Sequence, residues 1–423
     1  MCAAQSMALR TSNFTVNGRS YDPPAQPIAV ICLDGSADEY LDAALARGRM
    51  PNLQRMAISG YRGFARAAMP TFTNVNNSSI VTGVPPSVHG IGGNFFFDTT
   101  SGEEVMMNSS RFLRADTIFP AAQGAGRKVA VVTAKEKLRD IFAHGLIRLG
   151  GIAFSSEKAK LAEKESHGLG QVEGLVGPTP AIYSGEASLY VLRAGVRLLE
   201  QSLADFLYLS TTDYMQHKFA PEDAEALDFY AGIDQEVGHL LQAGAIVGLT
   251  ADHGMNAKQR SDGTPNVIYL ESELVAKFGP GFRVILPITD PYVVHHGALG
   301  SFAQVHLPPE PTFSPAEVLT FIRHLPGVSE VLDRPTAARL MELPADRMGE
   351  LVVCSGRDVV LGRTPDWHNL KALEGGLRSH GGRYEEMVPF VLSRPLKPPY
   401  ASRAKGDPRN FDIFDFVCNG TNL

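Results

Sequence analysis

The sequence predicts an α/β protein with a mainly parallel sheet, helices on both of its faces, and a smaller α+β insertion. Three observations support this class. Apolar strand-like runs alternate with helical patterns over most of the 423 residues, several of these runs end on an aspartate, and one Gly- and Pro-rich stretch interrupts the alternation. Strands that alternate with helices form parallel sheets that the helices cover on both faces.

Four apolar runs have the form of buried parallel strands. They are PIAVICLD at 27–34, KVAVVT at 128–133, DFLYLSTTD at 205–213 and AIVGLTADH at 245–253. Near-continuous apolar character is typical of a strand that is buried on both faces. Three of the runs close on an aspartate or on Asp-His, which suggests that they end at a functional edge.

Helical patterns separate these strands. They cover roughly 39–59, 74–82, 115–124, 182–203 and 222–243. In open parallel sheets, ligands bind beyond the carboxyl ends of the strands. Polar residues of this chain stand at those ends, strand after strand, and this coincidence is the first indication of an active site.

The rest of the sequence divides the chain into parts. Residues 256–367 contain the strand-like segments VIYL, FRVILPI, GSFAQVHL and LVVCSGRDVVLG, with one helix after a Ser-Pro pair. The sheet pattern resumes at 368–423 with MVPFVLS and a final helix around FDIFDFVCNG. We therefore expect a metal-binding catalytic core at 27–255 and 368–423, an inserted cap at 256–367, and an N-terminal extension at 1–26.

Composition limits the class of protein. The net charge of −6 argues against a general nucleic-acid surface, which would need a basic face. No apolar run reaches the ~20 residues that span a bilayer, and the first residues lack the apolar segment of a secretory signal. The four cysteines are far apart and form no CxxC pair, so we expect reduced thiols and a cytoplasmic protein.

Aspartates and histidines at the strand ends have the spacing of metal ligands. Asp213 and His217 share one face if a helix begins after their strand. Each motif alone is common in ordinary turns, but chance placement of six such residues at one sheet edge is improbable. The six are Asp34, Asp213, His217, Asp252, His253 and His380. Six ligands of mixed nitrogen and oxygen type suit two zinc-like ions better than one.

The order of the motifs resembles that of the alkaline phosphatase superfamily, and most closely its nucleotide pyrophosphatase/phosphodiesterase branch. The motifs are LDG at 33–35, TNVNNSSIVTG at 73–83, DYMQHKFAP at 213–221, ADHGM at 251–255 and SHGG at 379–382. They extend over nearly the whole chain. The resemblance implies an alkaline phosphatase-like core that holds two divalent ions, expected to be Zn²⁺, and analogy suggests a homodimer.

The resemblance also implies a role for each candidate ligand. One ion would be held by Asp213, His217 and His380. The other would be held by Asp34, Asp252 and His253, with the Thr73 oxygen completing its coordination. Two-metal sites of this kind clamp the entering and leaving oxygens of an in-line displacement at phosphorus.

The hydroxyl-rich segment MPTFTNVNNSSIVTG contains the expected nucleophile. Related enzymes place it nine residues before the Thr of a Thr-Gly pair, and Thr82-Gly83 then points to Thr73. Thr73 would start a helix, where free N–H groups and the helix dipole favour an alkoxide and a bound phosphoryl group. Two alternatives remain: Thr73 only caps that helix, or Thr71 is the nucleophile, because TFTN is ambiguous against the TFPN of relatives.

Lys135 and Lys137 are candidate substrate-binding and catalytic residues. Their segment, VVTAKEKLRD at 131–140, resembles that of the phosphonoacetate hydrolases within the same branch. Cleaving a P–C bond expels a carbanion, which can leave as an enolate if cations meet its carboxylate. An extended chain would point both ammonium groups to one side, whereas a helix would separate them by roughly 200°. Two solvated lysines at the start of a surface helix are the alternative.

Further polar residues have weaker signals. Asn94, in GIGGNFFFD, resembles the family's amide that donates to a phosphoryl oxygen, and an ordinary turn asparagine is the alternative. His89 is expected to be structural. Arg283, His295 and His296, in the expected cap, either complete a lid over the site or lie in a solvated loop.

The sequence therefore predicts hydrolysis of a small anionic phosphonate. The resemblance implies cleavage of phosphonoacetate to acetate and phosphate through a phospho-threonine, with two ions, three aspartates and two lysines giving a site suited to a multiply charged anion. The main alternative is a nucleotide pyrophosphatase or phosphodiesterase that uses the same metals and Thr73, with Phe95, Phe96 and Phe97 as a slot for the base. A phosphoglycerate-mutase-like isomerase and a non-catalytic metal-binding scaffold are further alternatives.

Overall fold

The computed structural model describes residues 12–288, 297–373 and 376–422. The strands are β1 (Phe14–Val16), β2 (Arg19–Tyr21), β3 (Ile28–Cys32), β4 (Tyr61–Arg66), β5 (Phe95–Asp98), β6 (Glu103–Met106), β7 (Val129–Thr133), β8 (Ile152–Ser155), β9 (Phe206–Ser210), β10 (Ile246–Thr250), β11 (Asn256–Ala257), β12 (Val267–Tyr269), β13 (Arg283–Ile285), β14 (Phe302–His306), β15 (Val328–Asp333), β16 (Leu351–Ser355), β17 (Val360–Gly362), β18 (Arg378–Ser379) and β19 (Met387–Leu392).

The α-helices of the same ranges are α1 (Asp38–Ala46), α2 (Pro51–Ser59), α3 (Thr73–Thr82), α4 (Pro86–His89), α5 (Ile118–Gly124), α6 (Glu136–Phe142), α7 (Lys164–His167), α8 (Val172–Val176), α9 (Gly185–Glu200), α10 (Tyr214–Lys218), α11 (Ala224–Gln242), α12 (Leu270–Phe278), α13 (Pro315–Arg323), α14 (Arg334–Leu340), α15 (Pro398–Ala404) and α16 (Ile413–Asp415). A π-helical turn, Phe416–Gly420, follows α16. Within the described ranges, none of these helices has the length and apolar character that crossing a lipid bilayer requires.

Seven strands form the central sheet, in the order β4–β19–β10–β3–β9–β7–β8. Strands β10, β3, β9, β7 and β8 run parallel, and β19 is antiparallel to both of its neighbours, β10 and β4. The mainly parallel α/β class predicted from the sequence is therefore confirmed. Strands β3, β7, β9 and β10 are buried along their whole length, which explains why they read as continuous apolar runs.

Helices cover both faces of the central sheet, as predicted. Ala29 and Ile31 of β3 pack with α1, α2, α9 and α11 on one face. Val30 and Cys32 pack on the other face, with α3, α5, α6 and the helical turns at 410–420. The alternation along β3 is the one expected of a strand, whose successive side chains point to opposite faces.

A second, antiparallel sheet comes from the expected cap. Its order is β13–β14–β16–β15, and it shares an apolar core with α12, α13 and α14. Phe72 and Val75, at the start of α3, belong to the same core. The second sheet therefore packs beside the helix that begins at Thr73. The division of the chain into an N-terminal extension, a catalytic core and a cap stays a prediction.

Several elements differ from those predicted. The pattern at 39–59 forms two helices, α1 and α2, because Gly48 adopts a left-handed conformation and Pro51 begins a new helix. The insertion contains α12 and α14 besides the predicted helix, and LVVCSGRDVVLG forms two strands, β16 and β17. Strands β1 and β2 form a hairpin that was not predicted, and its Phe14 and Tyr21 are buried in the core.

The order of the central strands brings the polar strand ends together. Strands β10, β3, β9 and β7 are neighbours in the sheet and run in the same direction. They lead within three residues to Asp252, Asp34, Asp213 and Lys135, respectively. Residues that are far apart in the sequence therefore meet at one edge of the sheet.

Candidate active site

Asp213, His217 and His380 form the first of two buried clusters that could hold a metal ion. Asp213 precedes α10, and His217 lies one turn later within this helix. The Oδ2 atom of Asp213 is 3.0 Å from Nε2 of His217 and 3.6 Å from Nε2 of His380. The i, i+4 arrangement predicted from the sequence is therefore present in the structure.

Asp34, Asp213 and His253 form the second cluster. The Oδ1 atom of Asp34 is 3.3 Å from Nε2 of His253. Asp252, which the sequence placed in this cluster, lies at its border, with Oδ2 3.8 Å from Nε2 of His253. Asp213 thus takes part in both clusters, whereas the sequence assigned it to one.

The imidazole rings of both clusters are oriented by backbone carbonyls. In each ring Nδ1 lies within 2.7–2.9 Å of a carbonyl oxygen, to which it donates. The carbonyls are those of Arg378 for His217, Gly254 for His253 and Thr71 for His380. A ring that donates from Nδ1 presents Nε2 to a metal, and such bonds orient most metal-bound histidines.

Buried carboxylates lie close to these Nε2 atoms. Burial and the neighbouring Asp34 carboxylate raise the pKa of Asp252 well above its ordinary value. Burial alone would lower the pKa of His253, but Asp252 and Asp34 raise it to about 9. Among the described residues, Oδ2 of Asp34 accepts no hydrogen bond although it is fully buried. Carboxylate oxygens and imidazole nitrogens that converge in this way fit zinc-like divalent cations.

Thr73 is the first residue of α3 and faces the second cluster. Its Oγ1 atom lies 3.5 Å from Oδ1 of Asp34 and 3.4 Å from Nε2 of His253. Thr71 points elsewhere: its hydroxyl donates to the carbonyl of Gly382 and accepts from the N–H of Gly381. The geometry therefore favours Thr73 over Thr71 as the hydroxyl beside the charged clusters.

Asn94 lies in the wall of the cavity that Thr73 also lines. Its Oδ1 atom accepts the backbone N–H of Asn74 at 3.1 Å, and the backbone N–H of Asn94 donates to the carbonyl of Pro287 at 2.8 Å. The contact of Oδ1 with Asn74 fixes the orientation of the amide, whose donor group is Nδ2. Asn94 is thus placed next to the nucleophile candidate, and its role in binding stays a prediction.

Lys135 and Lys137 line the same cavity as Thr73 and Asp213. The Nζ atom of Lys135 lies 3.2 Å from Oδ1 of Asp213 and 3.6 Å from Oδ2 of Asp34. Burial would lower the pKa of Lys135, but these two carboxylates outweigh it and raise the pKa above its ordinary value. The ammonium group therefore stays charged at neutral pH.

The extended conformation expected for the lysine segment is wrong for Lys137. Lys135 is extended, with φ −99° and ψ 131°, but α6 begins at Glu136 and Lys137 lies in its first turn. Both side chains still reach the cavity, because α6 starts at the cavity edge rather than on the outer surface. Two residues that are two apart within one helix would point roughly 200° away from each other, but Lys135 lies before α6, so this separation does not apply to Lys135 and Lys137.

The cavity has a volume of about 520 Å³. Its outer wall includes Arg139, Lys158, Tyr183 and Tyr214. Phe95, Phe96 and Phe97 are not among its described lining residues, and Phe96 belongs to a small separate core.

The sequence suggested Arg283, His295 and His296 either as a lid over the site or as parts of a solvated loop. The Arg283 guanidinium is paired with Glu104, at 3.2 Å, and lies 4.0 Å from the centre of the Phe97 ring. Arg283 therefore connects β13 to the β5–β6 hairpin that follows Asn94. His295 and His296 lie outside the described residues.

Asn77 is a site residue that the sequence did not predict. Its Nδ2 atom donates to Oδ2 of Asp252 at 3.0 Å and to the carbonyl of Thr73 at 3.1 Å. Its Oδ1 atom accepts from the hydroxyls of Tyr208 and Ser210, at 2.6 and 2.8 Å. The only available signal was its position one helical turn after Thr73, which places both residues on one face of α3.

Gly35 allows two ligand-bearing segments to approach each other. It adopts φ +69°, and a Cβ atom at this position would lie 2.9 Å from Cβ of Asp213. A larger residue in the LDG motif would therefore separate Asp34 from Asp213.

Comparison with known proteins identifies relatives over most of the chain. The type I phosphodiesterase / nucleotide pyrophosphatase family matches residues 28–381. Venom phosphodiesterases of Macrovipera lebetinus and Naja atra are 25% and 24% identical to the chain over 272 and 249 residues, which are 60% and 55% of it. The matched regions span only 27% and 26% of those proteins, so the chain corresponds to about a quarter of these curated relatives.

Solved structures include a much closer relative. Phosphonoacetate hydrolase from Sinorhizobium meliloti 1021, in complex with phosphonoformate or with phosphonoacetate, is 46% identical to the chain, with a TM-score of 0.91. The match covers 96% of this chain and 98% of that protein. Human ectonucleotide pyrophosphatase / phosphodiesterase 5 shares the fold, with 17% identity, a TM-score of 0.62 and coverage of 94% and 96%.

Proposed function

The chain belongs to the type I phosphodiesterase / nucleotide pyrophosphatase family, and we propose that it is a metal-dependent phosphonoacetate hydrolase. The observation that carries this proposal is the convergence of Thr73, two His/Asp clusters and a charged Lys135 on one cavity. The full-length identity of 46% to a phosphonoacetate hydrolase supports the same substrate class.

The proposal assigns two divalent ions, Zn²⁺, to the two clusters. One ion would be held by Asp213, His217 and His380, and the other by Asp34, Asp252 and His253, with the Thr73 oxygen. When bound, the ions would make the threonine hydroxyl a stronger nucleophile and neutralise charge on the phosphoryl oxygens.

Thr73 is the proposed nucleophile. Its oxygen forms a bond to phosphorus as its proton passes to solvent water, and the bond between phosphorus and the methylene carbon breaks with the electron pair going to carbon. The N–H of Asn74 is used by Oδ1 of Asn94, which holds this side chain beside the start of α3. We propose that the Nδ2 group of Asn94 donates to a phosphoryl oxygen as charge develops there.

Lys135 and Lys137 would stabilise the leaving group. The electron pair on the methylene carbon spreads into the adjacent carboxylate, which gives an enolate with additional negative charge. Two ammonium groups near this carboxylate lower the free energy of that charge most at the transition state, where it grows. Protonation of the carbon yields acetate, and water then cleaves the phospho-threonine to phosphate and free Thr73.

The nucleotide alternative has weaker support from the cavity. The three phenylalanines considered as a base slot do not line it within the described residues. Lys135 and Lys137 do line the cavity, and this supports a substrate that carries a carboxylate. An aryl nucleotide ester offers no carboxylate to these lysines, so the arrangement favours a small phosphonate.

The test measures phosphate release from phosphonoacetate and from other short phosphonates, and hydrolysis of an aryl nucleotide ester, with and without a chelator. We expect phosphonoacetate to be the best substrate, and its turnover to stop with the chelator and return with Zn²⁺. Lys135→Ala should lose phosphonoacetate cleavage and retain ester hydrolysis. Lys128→Ala, at the amino end of β7, is the matched control. Faster turnover of the ester by the unaltered protein would reject the proposal.

We also propose a cytoplasmic homodimer. Cys32, Cys354 and Cys418 are free and buried, in agreement with reduced thiols. The dimer rests on analogy, and light scattering at micromolar concentration would test it directly: a monomeric mass would reject it.

A further inference from the structure

Two turns that carry candidate ligands are joined outside the metal clusters. The first turn contains His253 and continues into β11, and the second contains His380 and follows β18. Strands β11 and β18 pair, with Asn256 opposite Ser379. This connection is short, since each of the two strands has two residues.

Glu385 makes contacts with both turns. Its backbone carbonyl accepts the N–H of Gly254, at 2.8 Å, which is the residue after His253. Its Oε2 atom accepts the N–H of Gly382, at 3.0 Å, two residues after His380. Glu385 thus holds the backbone just after each of the two histidines.

Lys258 provides the opposite charge. Its Nζ atom lies 2.8 Å from Oε1 of Glu385 and donates to the carbonyl of Arg357 at 2.7 Å. Asn256 donates to the same Oε1 atom at 2.6 Å. Both charged side chains are completely buried, at 0% exposure. The desolvation penalty of a buried ion pair can exceed the attraction between its charges, so stability alone is a weak explanation for such a pair.

The rings that the two turns carry are in contact. His253 and His380 stack with their centres 3.5 Å apart and their planes 7° from parallel. Each ring belongs to a different cluster. A shift of one turn relative to the other would therefore change the separation of the two clusters, which two-metal sites hold at about 3.5–4 Å.

We propose that Lys258 and Glu385 are a positioning pair, which sets the distance between the two metal sites by holding the His253 and His380 turns together. This inference rests on the metal sites of the proposed function, but not on its substrate. Neither Lys258 nor Glu385 is among the described residues that line the cavity, so the effect of the pair on metal binding must be indirect. Loss of a residue that orients metal ligands typically weakens metal binding about 10–100-fold.

The test separates positioning from ordinary stabilisation. The double variant Lys258→Met/Glu385→Leu replaces the buried charges by apolar side chains, but it also removes the partners of the Asn256 amide, the Gly382 N–H and the Arg357 carbonyl, so we expect a lower Tm. At a temperature where the variant is folded, its affinity for Zn²⁺, measured by competition with a chromophoric chelator, should fall about 10–100-fold. The magnetic coupling between two bound Co²⁺ ions, measured by electron paramagnetic resonance, should also change.

A control and a second variant complete the experiment. Arg127→Met removes another buried charge, paired with Asp205 at the opposite end of the strands, and should lower stability without weakening metal binding. If the double variant does not fold, Glu385→Gln decides, because its amide can keep the Gly382 bond but cannot match Lys258. We expect the Glu385→Gln variant to bind Zn²⁺ about tenfold more weakly than the unaltered protein.

Unchanged metal affinity and unchanged Co²⁺ coupling in the folded variant would overturn the inference. A different result would reject the proposed function alone: an unaltered protein that binds two ions but does not cleave phosphonoacetate. The two failures are therefore distinguishable.

Discussion

Thr71 and Thr73 lie two residues apart and make entirely different contacts. Thr73 faces Asp34 and His253, whereas the hydroxyl of Thr71 is used by the turn at Gly381 and Gly382. The difference arises because α3 begins at Thr73 and turns its side chain towards the strand ends. The register ambiguity of TFTN is a question that backbone geometry can answer and sequence spacing cannot.

We predict that Thr73→Ala lowers turnover of phosphonoacetate by roughly 10³-fold or more, as expected when a nucleophile is removed. The zinc content should remain close to that of the unaltered protein, because the carboxylates and imidazoles are retained. Thr71→Ala is the matched control and should keep turnover within about tenfold, since it loses only structural hydrogen bonds. Steady-state kinetics with metal analysis would check this, and equal inactivation of both variants would contradict it.

His89 illustrates a buried polar residue with a structural role. It is fully buried, its Nδ1 accepts the N–H of Ile91 at 3.1 Å, and its Nε2 lies 2.8 Å from the Ser79 hydroxyl. Burial lowers the pKa of His89 to about 3. The neutral ring is therefore the form that the folded protein contains at neutral pH, in agreement with the structural role expected from sequence.

This burial predicts a pH dependence of stability. Below pH 6.5 the unfolded chain binds a proton at His89 that the folded protein does not bind, so the free energy of unfolding falls as pH falls. Between pH 7 and pH 5 the loss due to His89 should be about 2 kcal/mol. Urea unfolding of the unaltered protein and of His89→Asn, which keeps an acceptor for Ile91, would measure it. Identical pH dependence of the two proteins would contradict the prediction.

At the level of elements, α3 connects the nucleophile to the sheet. All ten of its residues are buried, and Asn77 joins it to Asp252 and to the end of β9. The sequence predicted a helical pattern at 74–82, close to the observed bounds of α3, although a helix that is buried on all sides carries no amphipathic signal.

We predict that Asn77→Ala lowers the free energy of unfolding by about 2 kcal/mol, because it leaves the buried partners of the amide unsatisfied. The adjacent Ser78 offers a matched control: it is fully buried, and its Oγ has no hydrogen-bond partner among the described residues. Ser78→Ala should therefore change stability much less. Urea unfolding would compare the two variants, and equal losses would show that the Asn77 contacts contribute nothing specific.

The elements that sequence patterns predicted best are the buried strands. Strands β3, β7, β9 and β10 lie where the apolar runs placed them. The conformation of the lysine segment was harder to predict, because the chain changes from extended to helical between Lys135 and Lys137. Propensity does not locate such a boundary to one residue. The short strands β1, β2, β5 and β6 were missed, since runs of three or four residues leave little periodicity to detect.

At the level of the whole molecule, strand order creates the site. The sequence identified the polar strand ends, but it contained no information on which strands are neighbours. The order β10–β3–β9–β7 places Asp252, Asp34, Asp213 and Lys135 side by side. Sharing of Asp213 between the two clusters, and the contacts of Asn77, depend on this arrangement and were not predictable from spacing.

Metal binding should contribute to global stability. Burying the carboxylates of the two clusters costs less free energy when cations neutralise them. The folded state therefore binds the ions tightly, whereas the unfolded chain binds them weakly. At free Zn²⁺ of 1,000 times Kd, one site stabilises by about 4 kcal/mol. Calorimetry should show a lower Tm after chelation and recovery after Zn²⁺ is restored. The same Tm in both states would contradict a buried metal centre.

The most direct measurement of the central claim is anomalous X-ray diffraction from crystals of the zinc-loaded protein. The account predicts two peaks about 3.5–4 Å apart, with ligand distances of about 2 Å. One peak should be an ion held by Asp213, His217 and His380, and the other should be an ion held by Asp34, Asp252 and His253 that contacts the Thr73 oxygen. A single peak, or peaks from which Thr73 is remote, would contradict the account.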